Sequence, residues 1–108
     1  MFVVVISWLF AKNFRGLAIY PFIFLRDREL KENLKIINHE KIHLRQQIEL
    51  LWVFFFLWYG TEFLIRWIQF GNPLVAYFNI SFEKEAYANE YDLSYLNKRK
   101  VWNFTNYL

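Results

Sequence analysis

The sequence predicts an α+β fold: an N-terminal β-hairpin packed on a long helix that carries an H-E-x-x-H motif, followed by a C-terminal helix that carries glutamates. Three observations predict it. Residues 2–10 and 17–25 are rich in β-branched and aromatic types and flank a turn-like Asn13-Phe14-Arg15-Gly16. From Glu32 or Asn33 onward, apolar residues recur at helical spacing. Gly71-Asn72-Pro73 closes that stretch, and Ser81 opens a second helical pattern. A chain of 108 residues makes one domain, 1–108.

Taken in order, the strand at 17–25 contains Pro21, which has no N–H to give to a ladder and so belongs at a sheet edge. Such an edge can pair with an extended peptide. Arg26-Asp27-Arg28-Glu29 is a charged loop. In the long helix, Glu32, Ile36, His39, His43, Gln46 and Leu50 share one side, and Asn38, Lys41, Arg45 and Glu49 form a solvated one. Residues 50–59 are apolar all round, so protein or lipid must cover the helix there on every side. Gly60 is a point of break or kink, and 61–70 continues the helix or begins another. Residues 74–79 carry no clear period. The last helix is expected over 82–97, capped by Ser81, with Phe82, Ala86, Asn89, Leu93 and Leu96 as its inner stripe.

Composition narrows the setting. Hydrophobic residues make up 56% and aromatics 23% of the chain, with 13 Phe, 7 Tyr and 5 Trp. A domain of this size buries only about 60–65% of the surface its unfolded chain exposes, so a membrane surface or a partner protein is expected to cover the aromatic excess. The net charge of +3 is spread along the chain, apart from Lys98-Arg99-Lys100, and argues against nucleic acid as partner. There is no cysteine, which excludes disulfides and thiolate metal sites. The longest uncharged run, residues 50–61, is twelve residues. Spanning a bilayer takes about 20, so the expectation is peripheral or partly embedded membrane association.

The chemistry is concentrated in His39-Glu40-Lys41-Ile42-His43, which holds both histidines of the chain. Four residues apart on a helix, the two imidazoles point the same way and can share one zinc ion. Glu40 lies about 100° round, within reach of a metal-bound water whose proton it can accept. A catalytic zinc takes three protein ligands, and with no third histidine a carboxylate must complete the set. Glu85, Glu83 and Glu62 compete. Glu62 would lie about 28 Å from His43 along an unbroken helix. Glu83 sits near the expected cap, where the helix dipole suits it. Glu85 is therefore favoured, with Asn89 one turn on to support an imidazole.

H-E-x-x-H on one helix with a glutamate from a later helix resembles the gluzincin zinc metallopeptidases. In many of them the later helix reads E-x-x-x-D; here the corresponding stretch is Glu85-Ala86-Tyr87-Ala88-Asn89, with asparagine in the support position. Residues 39–47 together with 82–87 also look like small bacterial proteins described as membrane-associated metallopeptidases. The resemblance covers residues 17–97 and implies a minimal zincin-like domain over 1–108. It further implies His39, His43 and Glu85 as zinc ligands, Glu40 as general base, and the strand at 17–25 as the platform for an extended peptide or protein substrate. Tyr77, Tyr87 and Tyr91 are candidates to stabilise an oxyanion. Two functions compete: a zinc peptidase that hydrolyses peptide bonds near a bacterial membrane, and a non-catalytic membrane-associated subunit on a peptidase-like frame. In a third reading the histidines are incidental and no metal binds.

Overall fold

The fold was analysed in a computed structural model that describes residues 1–6 and 14–108. The chain is α+β, with a three-stranded sheet and five helices among the described residues. The strands are β1 (Phe2–Val5), β2 (Gly16–Ile19) and β3 (Phe22–Leu25). The helices are α1 (Leu34–Glu49), α2 (Val53–Phe70), α3 (Pro73–Phe78), α4 (Ser81–Asn89) and α5 (Tyr95–Lys98), with 3-10 turns at Arg28–Glu32 and Asn103–Tyr107.

The hairpin is not the expected one. Residues 17–25 do not form one strand; Tyr20 and Pro21, joined by a cis peptide bond, are the turn between β2 and β3. β1 then adds parallel to β3, giving the order β1-β3-β2. The ends of the expected first strand and turn that fall on residues 7–13 lie outside the described residues. The register puts Val3 and Val5 opposite Ile23 and Leu25, and Ala18 opposite Ile23. Because side chains alternate across a strand, all five point to one face. There they meet Leu30, Ile36, Ile37 and Leu44, which makes the core between the sheet and α1.

Asn33 caps α1, its side-chain oxygen accepting from the Ile36 N–H at 3.2 Å. The helix ends at Glu49, not near residue 59. Leu51 and Trp52 take positive φ (54° and 63°), and the chain turns through 113° into α2. Two L-residues in the left-handed region cost about 1–2 kcal/mol each. The elbow offsets this by seating Leu50 and Phe55 against Ile80, Phe82 and Phe104, where full burial of one such side chain stabilises by about 1.5–3 kcal/mol. Gly60 neither breaks nor bends α2, which runs through it with open space beside its Cα.

The second half of the chain closes over α1. Asn72 caps α3 by accepting from the Leu74 and Val75 N–H groups. α4 begins one residue earlier than expected and ends at Asn89, well short of residue 97. Its first turn is held by Glu62 of α2, which accepts from the Ser81 N–H at 2.6 Å and from its Oγ at 2.8 Å. Ser81 is thus the first helical residue, and the cap comes from another helix. α4 packs Ala86 on Ile42 of α1, and Asn38 of α1 donates to the carbonyls of Glu90 and Asp92 at the far end of α4. These contacts fix α4 lengthwise and in rotation against the helix that carries the histidines.

Candidate metal centre

His39 and His43 stand one turn apart on the side of α1 that faces α4, both buried. Their Nε2 atoms lie 3.2 Å apart. Glu83 of α4 brings its Oε1 to 3.1 Å from His39 Nε2 and 2.9 Å from His43 Nε2. The three atoms form a nearly equilateral triangle. Ligands held tetrahedrally at about 2.0–2.1 Å from one ion sit about 3.3–3.4 Å from each other, so this triangle is a slightly tight version of three corners of such a site. His39, His43 and Glu83 are a buried group able to hold a metal ion.

The other side of each imidazole fixes which nitrogen is offered. His39 Nδ1 is 2.8 Å from Glu90 Oε2, and His43 Nδ1 is 2.8 Å from Gln46 Oε1. A carboxylate can only accept here, so in the neutral form that a metal requires His39 would carry its proton on Nδ1 and turn the Nε2 lone pair inward. Gln46 does the same for His43, because its own orientation is forced. Its Nε2 donates to Glu85 Oε1 at 2.9 Å and to the Phe82 carbonyl at 3.2 Å, both pure acceptors, which leaves Oε1 for His43. Glu85 in turn is held by Arg99, by Tyr95 Oη at 2.5 Å and by Gln46. Arg99 also donates to Glu49 Oε2 at 2.6 Å with its side chain fully buried. A relay therefore runs from Arg99 through Glu85 and Gln46 to the tautomer of His43.

Electrostatically the centre is a seat for positive charge. Burial opposes the charge on His39, yet its hydrogen bonds to Glu83 and Glu90 prevail and push its pKa up to about 10. His43 is raised in the same way, against burial, chiefly by the Glu83 charge beside it. Burial works against ionised Glu83 as well, but the two imidazoles hold its carboxyl well below the usual range. Glu83 Oε2 accepts from Tyr59 Oη at 2.7 Å, which leaves Oε1 aimed at the histidines.

Glu40 is buried beside this group, and burial raises its pKa against the pull of His43 and His39. Its carboxylate reaches across to β2, where the absence of a side chain at Gly16 makes room. A methyl group there would lie 3.0 Å from Glu40 Oε2. Glu40, His43 and Glu83 share one cavity with Gly16, Ala18 and Tyr77. Tyr77 Oη is 3.0 Å from Tyr87 Oη, and the Tyr87 ring packs edge-on against His39 at 4.4 Å.

The two histidines and Glu40 lie where the motif puts them. The expected third ligand does not: Glu85 is two residues, about 200° of helix, from Glu83, and its carboxylate is engaged by Arg99, Tyr95 and Gln46. Glu83 is the carboxylate beside the histidines. Glu62 is spent on Ser81. Asn89 does not support an imidazole; its side chain donates to the Glu85 carbonyl and to Tyr107 Oη. Tyr91 is exposed and pairs with Lys35, away from the cavity. Sequence reading missed Glu90 and the role of Gln46. A signal for Glu90 existed: Glu83 and Glu90 are seven apart, two turns of one helical face. Comparison of the chain with protein-family models, curated proteins and solved structures gives no match.

Proposed function

We propose that the protein is a zinc-dependent peptidase, a minimal gluzincin-like hydrolase of peptide bonds in which Glu83 takes the ligand place first given to Glu85. The observation that carries this reading is Glu40, a buried carboxylate that shares a cavity with His43 and Glu83 of the triangle and is hydrogen-bonded to neither histidine. A structural site has no need of such a group, whereas hydrolysis needs a base. Two imidazoles and a carboxylate are a catalytic zinc set, which leaves one position open and supplies a Lewis acid and an acidified water. With zinc held by His39, His43 and Glu83, Glu40 would be the group placed to take a proton from water and to pass it to the leaving amine. Tyr77, the one of the three candidate tyrosines that lines the cavity, donates to the developing oxyanion.

Membrane association belongs to the same proposal. α2 exposes Phe54, Leu57, Leu64 and Ile68, the last at 85%. Among the described residues no single helix is long and apolar enough to cross a membrane, though α1 and α2 qualify as a bent pair. An amphipathic helix laid in the interface suits this surface. The same exposed face also favours the second reading, a non-catalytic subunit that needs a partner there.

Elemental analysis and peptide cleavage separate the two. The protein is expected to bind about one zinc, and Glu40→Gln to keep the metal and lose hydrolysis. Zinc-loaded wild type that cuts nothing in a diverse peptide library, while co-purifying with a stable partner, would leave only the subunit reading.

A further inference from the structure

A second cavity, of about 520 Å³, opens along α2 and shares no lining residue with the one beside the metal centre. Phe54, Leu57, Trp58, Thr61 and Ile65 recur three or four apart and so line it from one face of the helix. Trp58 is its floor, packed edge-on against Phe104 of the core at 5.1 Å between ring centres. Phe54, Leu57 and Ile65 are exposed, so the mouth is apolar and faces outward.

Three polar side chains reach this groove, and two of them are spent. Thr61 Oγ1 donates to the Leu57 carbonyl at 2.7 Å. Both oxygens of Glu62 accept from Ser81. Arg66 is different. Its Nη1 donates to Gln69 Oε1 at 2.9 Å, while its Nε–H is closed off from water and bonds to nothing. Among the described residues no carboxylate pairs with it. A charged donor out of water and without a partner is costly. An anion beside the guanidinium offsets that cost even without touching Nε, because the charge is shared over the whole group.

The groove therefore suits an anion joined to an apolar body. A free anion would leave the wall uncovered, and an acyl chain alone would leave Arg66 unpaired. Leu64 and Ile68 are exposed on the same helix and carry the apolar surface past the groove, as contact with a bilayer requires. A helix lying in the interface with its apolar residues down keeps a long cationic side chain at the level of the head groups.

We infer that this groove seats an anionic phospholipid, its head-group phosphate on Arg66 and its acyl chains against Phe54, Leu57 and Ile65. The inference rests on the membrane-association part of the reading above and not on the metal. Flotation of the full chain at fixed salt tests it, with vesicles of phosphatidylcholine alone and of an equal mix with phosphatidylglycerol. In phosphatidylcholine the ammonium on the same head group offsets the phosphate, so the wild type should favour the mix. Arg66→Gln should lower binding to the mix about fivefold, the worth of one basic residue at such a surface. Its binding to phosphatidylcholine should change less than about twofold, which also shows that the variant is folded. Arg45→Gln removes the same charge from an exposed position on α1 and should leave the preference for the mix within about twofold. Equal losses in the two variants, or a wild type that binds both vesicles alike, overturn the Arg66 site and leave membrane association standing. A wild type that floats with neither overturns membrane association and the inference with it.

Discussion

At the scale of single residues, Glu83 and Glu85 carry opposite assignments although they are two positions apart. Glu83→Ala removes the only carboxylate of the triangle and should abolish stoichiometric zinc binding, read by elemental analysis after dialysis. Glu85→Gln leaves the triangle intact but frees Gln46 to turn. Zinc should then bind at the same stoichiometry with about 10- to 100-fold lower affinity, the usual cost of losing a partner behind a ligand, as read by competition with a chelator. The reverse pattern would return Glu85 to the metal. Gly16→Ala is a third case. Its methyl group presses on Glu40 and not on the ligands, so zinc content should hold while hydrolysis falls on the order of tenfold. The histidines and Glu40 were legible because one helical turn fixes their relation. The choice between Glu83 and Glu85 was not, because it depends on the rotation of α4 about its axis. That rotation is set by Phe82, Ala86 and Asn38 and by an arginine outside the helix.

At the scale of elements, the sequence marked the wrong hinge. Gly60 is the residue expected to break a helix, and α2 passes through it; the real elbow uses Leu51 and Trp52, which carry no breaking signal. Tertiary packing decides here, since only the elbow lets Phe55 reach Phe82, at 4.6 Å between ring centres. The strands were legible as β-rich sequence, but their pairing was not, because Pro21 marks the turn and not the edge. The ion cluster that joins α1, α4 and Arg99 makes a pH-dependent contribution of known sign. Burial works against ionised Glu85, but Arg99 and Tyr95 prevail and lower its folded pKa. The stabilisation is complete above the ordinary glutamate value of about 4.3 and fades as pH falls through the lower folded value. In urea titrations the gap between wild type and Glu85→Gln should therefore be widest near neutrality and narrow in acid. A gap that stays constant would mean that Glu85 does not ionise differently on folding.

At the scale of the whole molecule, α2 and its start carry a dense group of exposed apolar side chains, among them Trp52, Phe54, Leu57, Trp67 and Ile68. Flotation with phospholipid vesicles should carry the protein upward, and Leu57→Glu together with Ile68→Glu should leave it at the bottom with its fold unchanged by circular dichroism. A wild-type protein that stays at the bottom would point instead to a protein partner. The order in which the centre is assembled has a consequence in time. Glu83 follows His43 by 40 residues, and Arg99, which sets His43 through Glu85 and Gln46, comes later still. At about 5–20 residues per second, the carboxylate that completes the triangle is synthesised roughly two to eight seconds after the histidine pair. The two histidines are thus made before the partners that orient them, and the triangle closes only when α4 has packed on α1.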